Sequence, residues 1–300
     1  KGQQEDWFDS NFIIFFAIIA VIGLVGAVIW LLRQKEPVVK LSLFSLPSFS
    51  MPSLMIFFVG FALYSSSTLL PMMVQSNFGY DATLAGMVLS PSGLVVICIM
   101  PIIGKLVNKV QAKYLISTGM FLMAFGMWAT AQITPQSDYW TLVQVRILQV
   151  IGLPFLFVPS STLAFSKIKA VDSSNASAIV ALMRNLGGSI GIAIVTNKLI
   201  QSQQVEQNNI VQHLTNFDIG YNNALYNMTN TIKNLGFSET QASQMALGKI
   251  YRELMHQASL LAYADAYEFV ATIMILLGIV ALFMPKNELH GKKKKTVVTE

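Results

Sequence analysis

Seven stretches of this chain stay apolar for about 20 residues each, and that decides the solvent in which it folds. They run at about 12–32, 54–74, 83–104, 114–133, 140–164, 176–197 and 262–284. A helix rising 1.5 Å per residue needs roughly 20 apolar residues to cross a hydrocarbon core about 30 Å thick. None of the stretches alternates with a period of two, as barrel strands do. Helices are then the remaining way to satisfy the backbone in lipid. The expected fold class is an all-α integral membrane protein, a bundle of about seven spans. Charge agrees: only 12% of residues are charged, about half the share a soluble domain carries.

Composition also excludes several functions. The net charge of +5 includes the tail run Lys292 to Lys295, and most other basic residues flank apolar stretches, so it is no nucleic-acid signal. The single cysteine, Cys98, excludes an internal disulfide or a cysteine zinc site and reads as a small buried hydrophobe. His213, His256 and His290 are scattered outside the spans, with no metal-ligand spacing and no phosphate loop. We expect no cofactor, no metal site and no enzyme.

Lysine and arginine set the expected orientation. Connections 33–53, 105–113 and 165–175 carry Arg33, Lys35, Lys40, Lys105, Lys109, Lys113, Lys167 and Lys169, whereas 75–82 and 134–139 carry none. Under the positive-inside rule the basic connections and the tail are cytoplasmic. The expected layout is an external loop (1–11), a first span (12–32), a cytoplasmic linker (33–53), five spans within 54–197, a long external helical segment (198–261), a last span (262–284) and a basic cytoplasmic tail (285–300). The chain starts at Lys1 with loop-like residues, and we expect it to be one part of something longer. In the external segment, Ser238-Glu239-Thr240-Gln241 has the form of a capping box and should start a helix leading into the last span. That segment reads either as a solvated connector or as a docking surface.

The spans hold few polar residues, and those few are the candidates for solute handling. Arg146 lies about 9 Å below the outer end of its helix, and Arg184 lies at a similar depth from the inner end of the next. An arginine facing lipid costs at least about 2.5 kcal/mol, so each is expected to face the bundle or a wet cavity, with snorkelling as the alternative. Gln144 and Gln149 beside Arg146, and Asn185 beside Arg184, would share a polar lining for substrate or gating. Gly187, Gly188 and Gly191 form a small-residue face for helix packing. Pro91, Pro101, Pro154 and Pro159 bend their spans. No acid lies deep in a span; Asp265 and Glu268, at the outer start of the last, are the weak candidates for proton coupling. Met72, Met73, Phe125 and Trp128 are either adaptable pocket lining or ordinary packing.

Several motifs, in order, resemble the fourteen-span major facilitator drug:proton antiporters of the EmrB/QacA type. Asp6-Trp7-Phe8-Asp9-Ser10 resembles the loop between that family's two extra central helices, which makes 12–32 an extra central helix. Leu89-Ser90-Pro91-Ser92-Gly93 with Pro101-Ile102-Ile103-Gly104 resembles the tenth helix, and Arg146 to Gly152 with Pro159 the twelfth. Ala176-Ser177 through Arg184 to Gly191 is similar to the thirteenth, and Gln257-Ala258 with Ala262 to Ala266 to the entry of the last. The family's cytoplasmic loop motif is met at Gly104, Lys109 and Lys113, but Asn108 stands for its acid and Gln111 for its glycine, which weakens only the reading of that loop as an ion-pair gate.

The resemblance implies a proton-coupled multidrug exporter working by alternating access in a bacterial inner membrane, represented by its later part. Implied partners are the lipid bilayer, small hydrophobic substrates, protons, a periplasmic adaptor and an outer-membrane channel. A transporter of one defined metabolite, or a non-transporting membrane scaffold, stays open as the alternative.

Overall fold

The computed structural model describes residues 11–34, 41–166, 168–212 and 219–284. Expectations for 1–10, for the linker residues 35–40, for Lys167, His213 and His290, and for the basic tail lie outside the described residues. The described chain is almost wholly helical: α1 (Asn11–Arg33), α2 (Pro47–Asn77), α3 (Ala82–Leu106), α4 (Ala112–Ala131), α5 (Tyr139–Val150), α6 (Leu153–Phe165), α7 (Ser173–Gln212), α8 (Ile219–Lys233) and α9 (Glu239–Leu282). Short 3-10 turns at Leu41–Ser45 and Ala170–Asp172 precede α2 and α7.

Among the described residues, six helical spans are long and apolar enough to cross a membrane, with α5 and α6 counting as one, Tyr139–Phe165. The expected number was seven. The first stretch is the 23-residue helix α1, and its described residues include the apolar run Ile14–Gly23. α1 also stands apart from the bundle, leaving Phe15, Val21 and Ile22 exposed.

Local chemistry explains most helix ends. Asp81 and Asp138 cap α3 and α5, each accepting the backbone N–H three residues on, Leu84 at 2.7 Å and Thr141 at 3.0 Å. α2 begins earlier than the expected residue 54 because Pro47 sits in its first turn, where a missing N–H costs nothing. The expected span 140–164 divides between α5 and α6, since Pro154 cannot donate to the preceding turn. The break brings Gly152 against α4, where a Cβ at Gly152 would come within 2.4 Å of the Gly119 carbonyl oxygen.

α2 and α7 form the most intimate pair, α4 packs on α9, and α7 and α2 also touch α9. The core between them is rich in methionine: Met73, Met120, Met123, Met127 and Met274 are essentially inaccessible. α3 is peripheral, leaning on α5 and α6. Its apolar surface is open almost all round, which corrects the reading of Cys98: the thiol is exposed, not buried. In lipid an apolar face need not be buried by protein, so apolarity on this helix does not mark the core.

The expected external segment 198–261 has no separate domain. α7 continues straight to Gln212, α8 packs on α9, and α9 runs unbroken for 44 residues. The capping box at Ser238 and Gln241 is formed and starts that helix. Gln207 Nε2 donates to the Tyr251 hydroxyl at 3.2 Å, tying the extensions of α7 and α9 together. At the opposite end Lys113 Nζ donates to the Leu282 carbonyl at 3.3 Å, bringing the last turn of α9 beside the basic α3–α4 turn.

Candidate functional site

α5 carries Arg146 into the interior, where only 5% of its surface remains exposed. Its Nη1 donates to Ser66 Oγ at 3.1 Å and to Gln149 Oε1 at 3.0 Å, and its Nη2 donates to Ser67 Oγ at 2.9 Å. Gln149, fully buried, donates onward from Nε2 to Thr130 Oγ1 at 2.7 Å, and Thr130 donates to the Gly126 carbonyl at 2.7 Å. The chain of polar groups thus runs from α2 through α5 to α4. Tyr267 of α9 faces the same cluster, fully buried, and its hydroxyl has no hydrogen-bond partner among the described residues.

The helix period accounts for this selection. Arg146 and Gln149 are three residues apart and share a face. Gln144 precedes Arg146 by two residues, points elsewhere and is exposed. Gly126 lets α5 approach, since a Cβ there would fall 2.4 Å from the Gln149 amide nitrogen.

The cluster holds a cation without an anion. Among the described residues no carboxylate pairs with Arg146, and its Nε has no hydrogen-bond partner. Burying a guanidinium costs several kcal/mol. Three bonds from a charged donor, each about 1.5–3 kcal/mol, offset much of that.

Arg184 lies elsewhere, on α7 against α2. It is half-buried with an unpartnered Nε, and its backbone carbonyl presses on Gly60, where a Cβ would come within 2.1 Å of that oxygen. The neighbouring Asn185 is exposed. Gly187, Gly188 and Gly191 sit on the same contact: Cβ atoms there would meet the Phe57 carbonyl oxygen at 1.9 Å, the Tyr64 ring at 2.4 Å and the Phe61 carbonyl oxygen at 2.8 Å. Arg146 and Arg184 therefore occupy two separate places, not one polar lining.

Asp265 is half-buried on α9 and Glu268 is exposed one turn later. In the α3–α4 turn, Asn108 Nδ2 donates to the Gly104 carbonyl at 3.4 Å, while Lys109 makes no ion pair among the described residues. Of the four adaptable residues, Met73 is core, Met72 is partly exposed, and Phe125 and Trp128 are half-exposed on α4.

A second polar knot joins the end of α2 to α9 and has no single-helix signature. His256 Nε2 lies 2.8 Å from the Asn77 carbonyl and must donate to it. The Asn77 side-chain oxygen accepts from Ser76 and Ser259 at 2.9 and 3.0 Å. Tyr263 shares a 3.5 Å contact with Ser76. Outside the membrane, Asp138 is held below the usual carboxylate range by the Thr141 hydroxyl and backbone N–H that it accepts.

Comparison with known proteins shows the family. Residues 7–192 match the family model of the Major Facilitator Superfamily. The multidrug export protein EmrB of Haemophilus influenzae is 30% identical over 244 residues, covering 81% of this chain and 47% of the relative. The colistin resistance protein EmrB of Acinetobacter baumannii is 27% identical over 96% of this chain and 56% of its own length. The fatty acid resistance protein FarB of Neisseria gonorrhoeae is 25% identical over 97% of this chain and 56% of its own. The chain spans about half the length of the curated relatives it matches.

Proposed function

This chain belongs to the major facilitator superfamily, and from that premise we propose that it serves a proton-coupled exporter of hydrophobic compounds working by alternating access. The observation that carries the reading is the buried guanidinium of Arg146, which among the described residues meets no anion and is hydrogen-bonded only to neutral groups from α2 and α5. A charged group kept inside a membrane bundle at this cost is a functional candidate by default. The names of the relatives, which refer to multidrug export and to colistin resistance, support drug export as the reading.

In this proposal Arg146 and Gln149 order the bundle side of the substrate path. Arg184 holds a half-buried charge beside the tight α2–α7 contact, where a change of packing alters its surroundings. Asp265 and Glu268 are the carboxylates within this chain that proton coupling would use. The basic turns and the end of α9 face the cytoplasm of a bacterial cell, in line with the charge alternation. The α7, α8 and α9 extension stands on the outer side and is the surface for a periplasmic adaptor feeding an outer-membrane channel.

The test is dye efflux by the whole protein in energised cells. We expect export that stops when the proton gradient is collapsed, and Arg184→Ala to impair it without loss of membrane insertion. Efflux that continues unchanged without the gradient refutes the coupling. Deleting 238–255 is expected to disrupt export in intact cells through loss of the adaptor; unaltered export removes that role.

A further inference from the structure

Between α4 and α9 lies a cavity of about 440 Å³, lined by Phe121, Phe125, Trp128, Glu268, Thr272 and Ile275, with Ala124 and Ala271 at its floor. Its volume suits a small organic molecule. The lining is aromatic on the α4 side, where the Phe125 and Trp128 rings lie 6.0 Å apart at 31°. One charged group faces these rings, the Glu268 carboxylate from α9, which makes no ion pair among the described residues.

Glu268 lies fourteen residues before the last residue of α9, so it stands about 21 Å from that end of the helix. In a core about 30 Å thick it sits roughly 9 Å inside the other boundary. A glutamate has only two methylenes with which to reach water, and an unpaired carboxylate at that depth is costly. Trp128, sixteen residues into α4 from Ala112, reaches about 24 Å and so lies at the same level. Acid and indole therefore share one layer of the membrane, on an exposed face of the bundle.

A cation is favoured over the face of an aromatic ring, most strongly over tryptophan, and a carboxylate in a low-dielectric layer adds a direct counter-charge. An anion would be repelled by Glu268, and a neutral apolar molecule would leave that charge unpaired. We propose that this groove binds a monovalent hydrophobic cation presented from the bilayer, with Trp128 and Phe125 as the aromatic wall and Glu268 as the counter-ion. The shared chemistry is an organic ammonium or phosphonium, arriving either as a free compound or as the amine headgroup of a lipid. Its standing as cargo rests on the exporter reading; the binding site itself does not.

The experiment uses the protein in phosphatidylcholine nanodiscs and a diazirine-bearing triphenylphosphonium, with labelled peptides mapped by mass spectrometry. Labels are expected in 121–128 and 268–275, competed by tetraphenylphosphonium. Glu268→Gln is expected to reduce labelling about tenfold, the equivalent of one lost charge contact, and Trp128→Leu several-fold. A neutral triphenylphosphine oxide carrying the same diazirine should not respond to Glu268→Gln. Both side chains are exposed, so the variants should keep the wild-type melting temperature, and Trp128→Phe should retain most labelling. Labelling elsewhere, or labelling indifferent to Glu268→Gln, overturns the site. Suppression of labelling by phosphatidylethanolamine assigns it to the lipid amine; equal labelling in both lipids assigns it to the free cation. Loss of gradient-driven efflux with labelling intact refutes the exporter reading alone, and efflux with labelling absent refutes this site alone.

Discussion

Replacing Gly187 by alanine adds one methyl group to the tightest contact in the bundle. That methyl would sit 1.9 Å from the Phe57 carbonyl oxygen, 2.7 Å from its carbon and 3.1 Å from its Cα. All three are backbone atoms of α2, so no side chain can swing away. Relief to ordinary contact near 3.4 Å requires α2 and α7 to separate by about 1.5 Å, loosening the paired register of Phe57 with Gly187 and Phe61 with Gly191. Overpacking a well-packed site costs about 1–3 kcal/mol when side chains adjust; with backbone on one side we expect the upper end, about 3 kcal/mol. The assay is thermal unfolding of purified protein in mild detergent, followed by the fraction remaining monodisperse. Gly93→Ala in α3 is the control, since nothing lies within 4 Å of the place its added methyl would take; it should be neutral or slightly stabilising, as alanine favours helix. Gly188→Ala should fall between, because its obstacle is the movable Tyr64 ring. Equal melting temperatures for Gly187→Ala and Gly93→Ala would refute the reasoning.

Other substitutions address the remaining features. Arg146→Ala strands the Gln149 side-chain oxygen and should destabilise by about 1–3 kcal/mol, whereas Arg146→Met, which fills the space, should keep the melting temperature closer to wild type and still lose efflux. Ser238→Ala removes the capping box of α9 and should cost about 1 kcal/mol, seen as faster amide hydrogen exchange at 239–246. The depressed Asp138 carboxylate contributes stability that is present above the unfolded aspartate value near 3.9 and is lost as pH falls through its lower folded value. Melting curves of wild type and Asp138→Ala should therefore keep a constant offset from pH 5 to 8 and converge only in strong acid.

How far the sequence alone reveals this molecule follows from the range of each interaction. Hydropathy finds the spans because the bilayer acts on about 20 residues in sequence. The cap at Ser238 is readable because its partner Gln241 is three residues away. Arg146 and Gln149 are readable as a pair for the same reason, while Gln144 falls outside the cluster because two residues along a helix turn the side chain away. The serines that hold Arg146, at positions 66 and 67, lie about eighty residues earlier on a span where nothing in the sequence marks them as its partners. Asn77 and His256 escape sequence reading likewise, since they meet only when α2 packs on α9, and Tyr267 does so because its neighbours Arg146 and Gln149 lie on α5. Cys98 misleads because burial by protein and burial by lipid leave one and the same apolar pattern.

The unbroken length of α9 has a mechanical consequence. Its 44 residues make a rod about 66 Å long, of which roughly 30 Å fits the bilayer and about 36 Å projects beyond it. With no proline within it to act as a pivot, the rod turns as a lever. A tilt of about 10° at the membrane sweeps the far tip through roughly 6 Å, given the rise per residue. A rearrangement among the buried helices that tilted this rod would be magnified at its far tip, and α7 and α8, which contact the projecting part, would have to move with it.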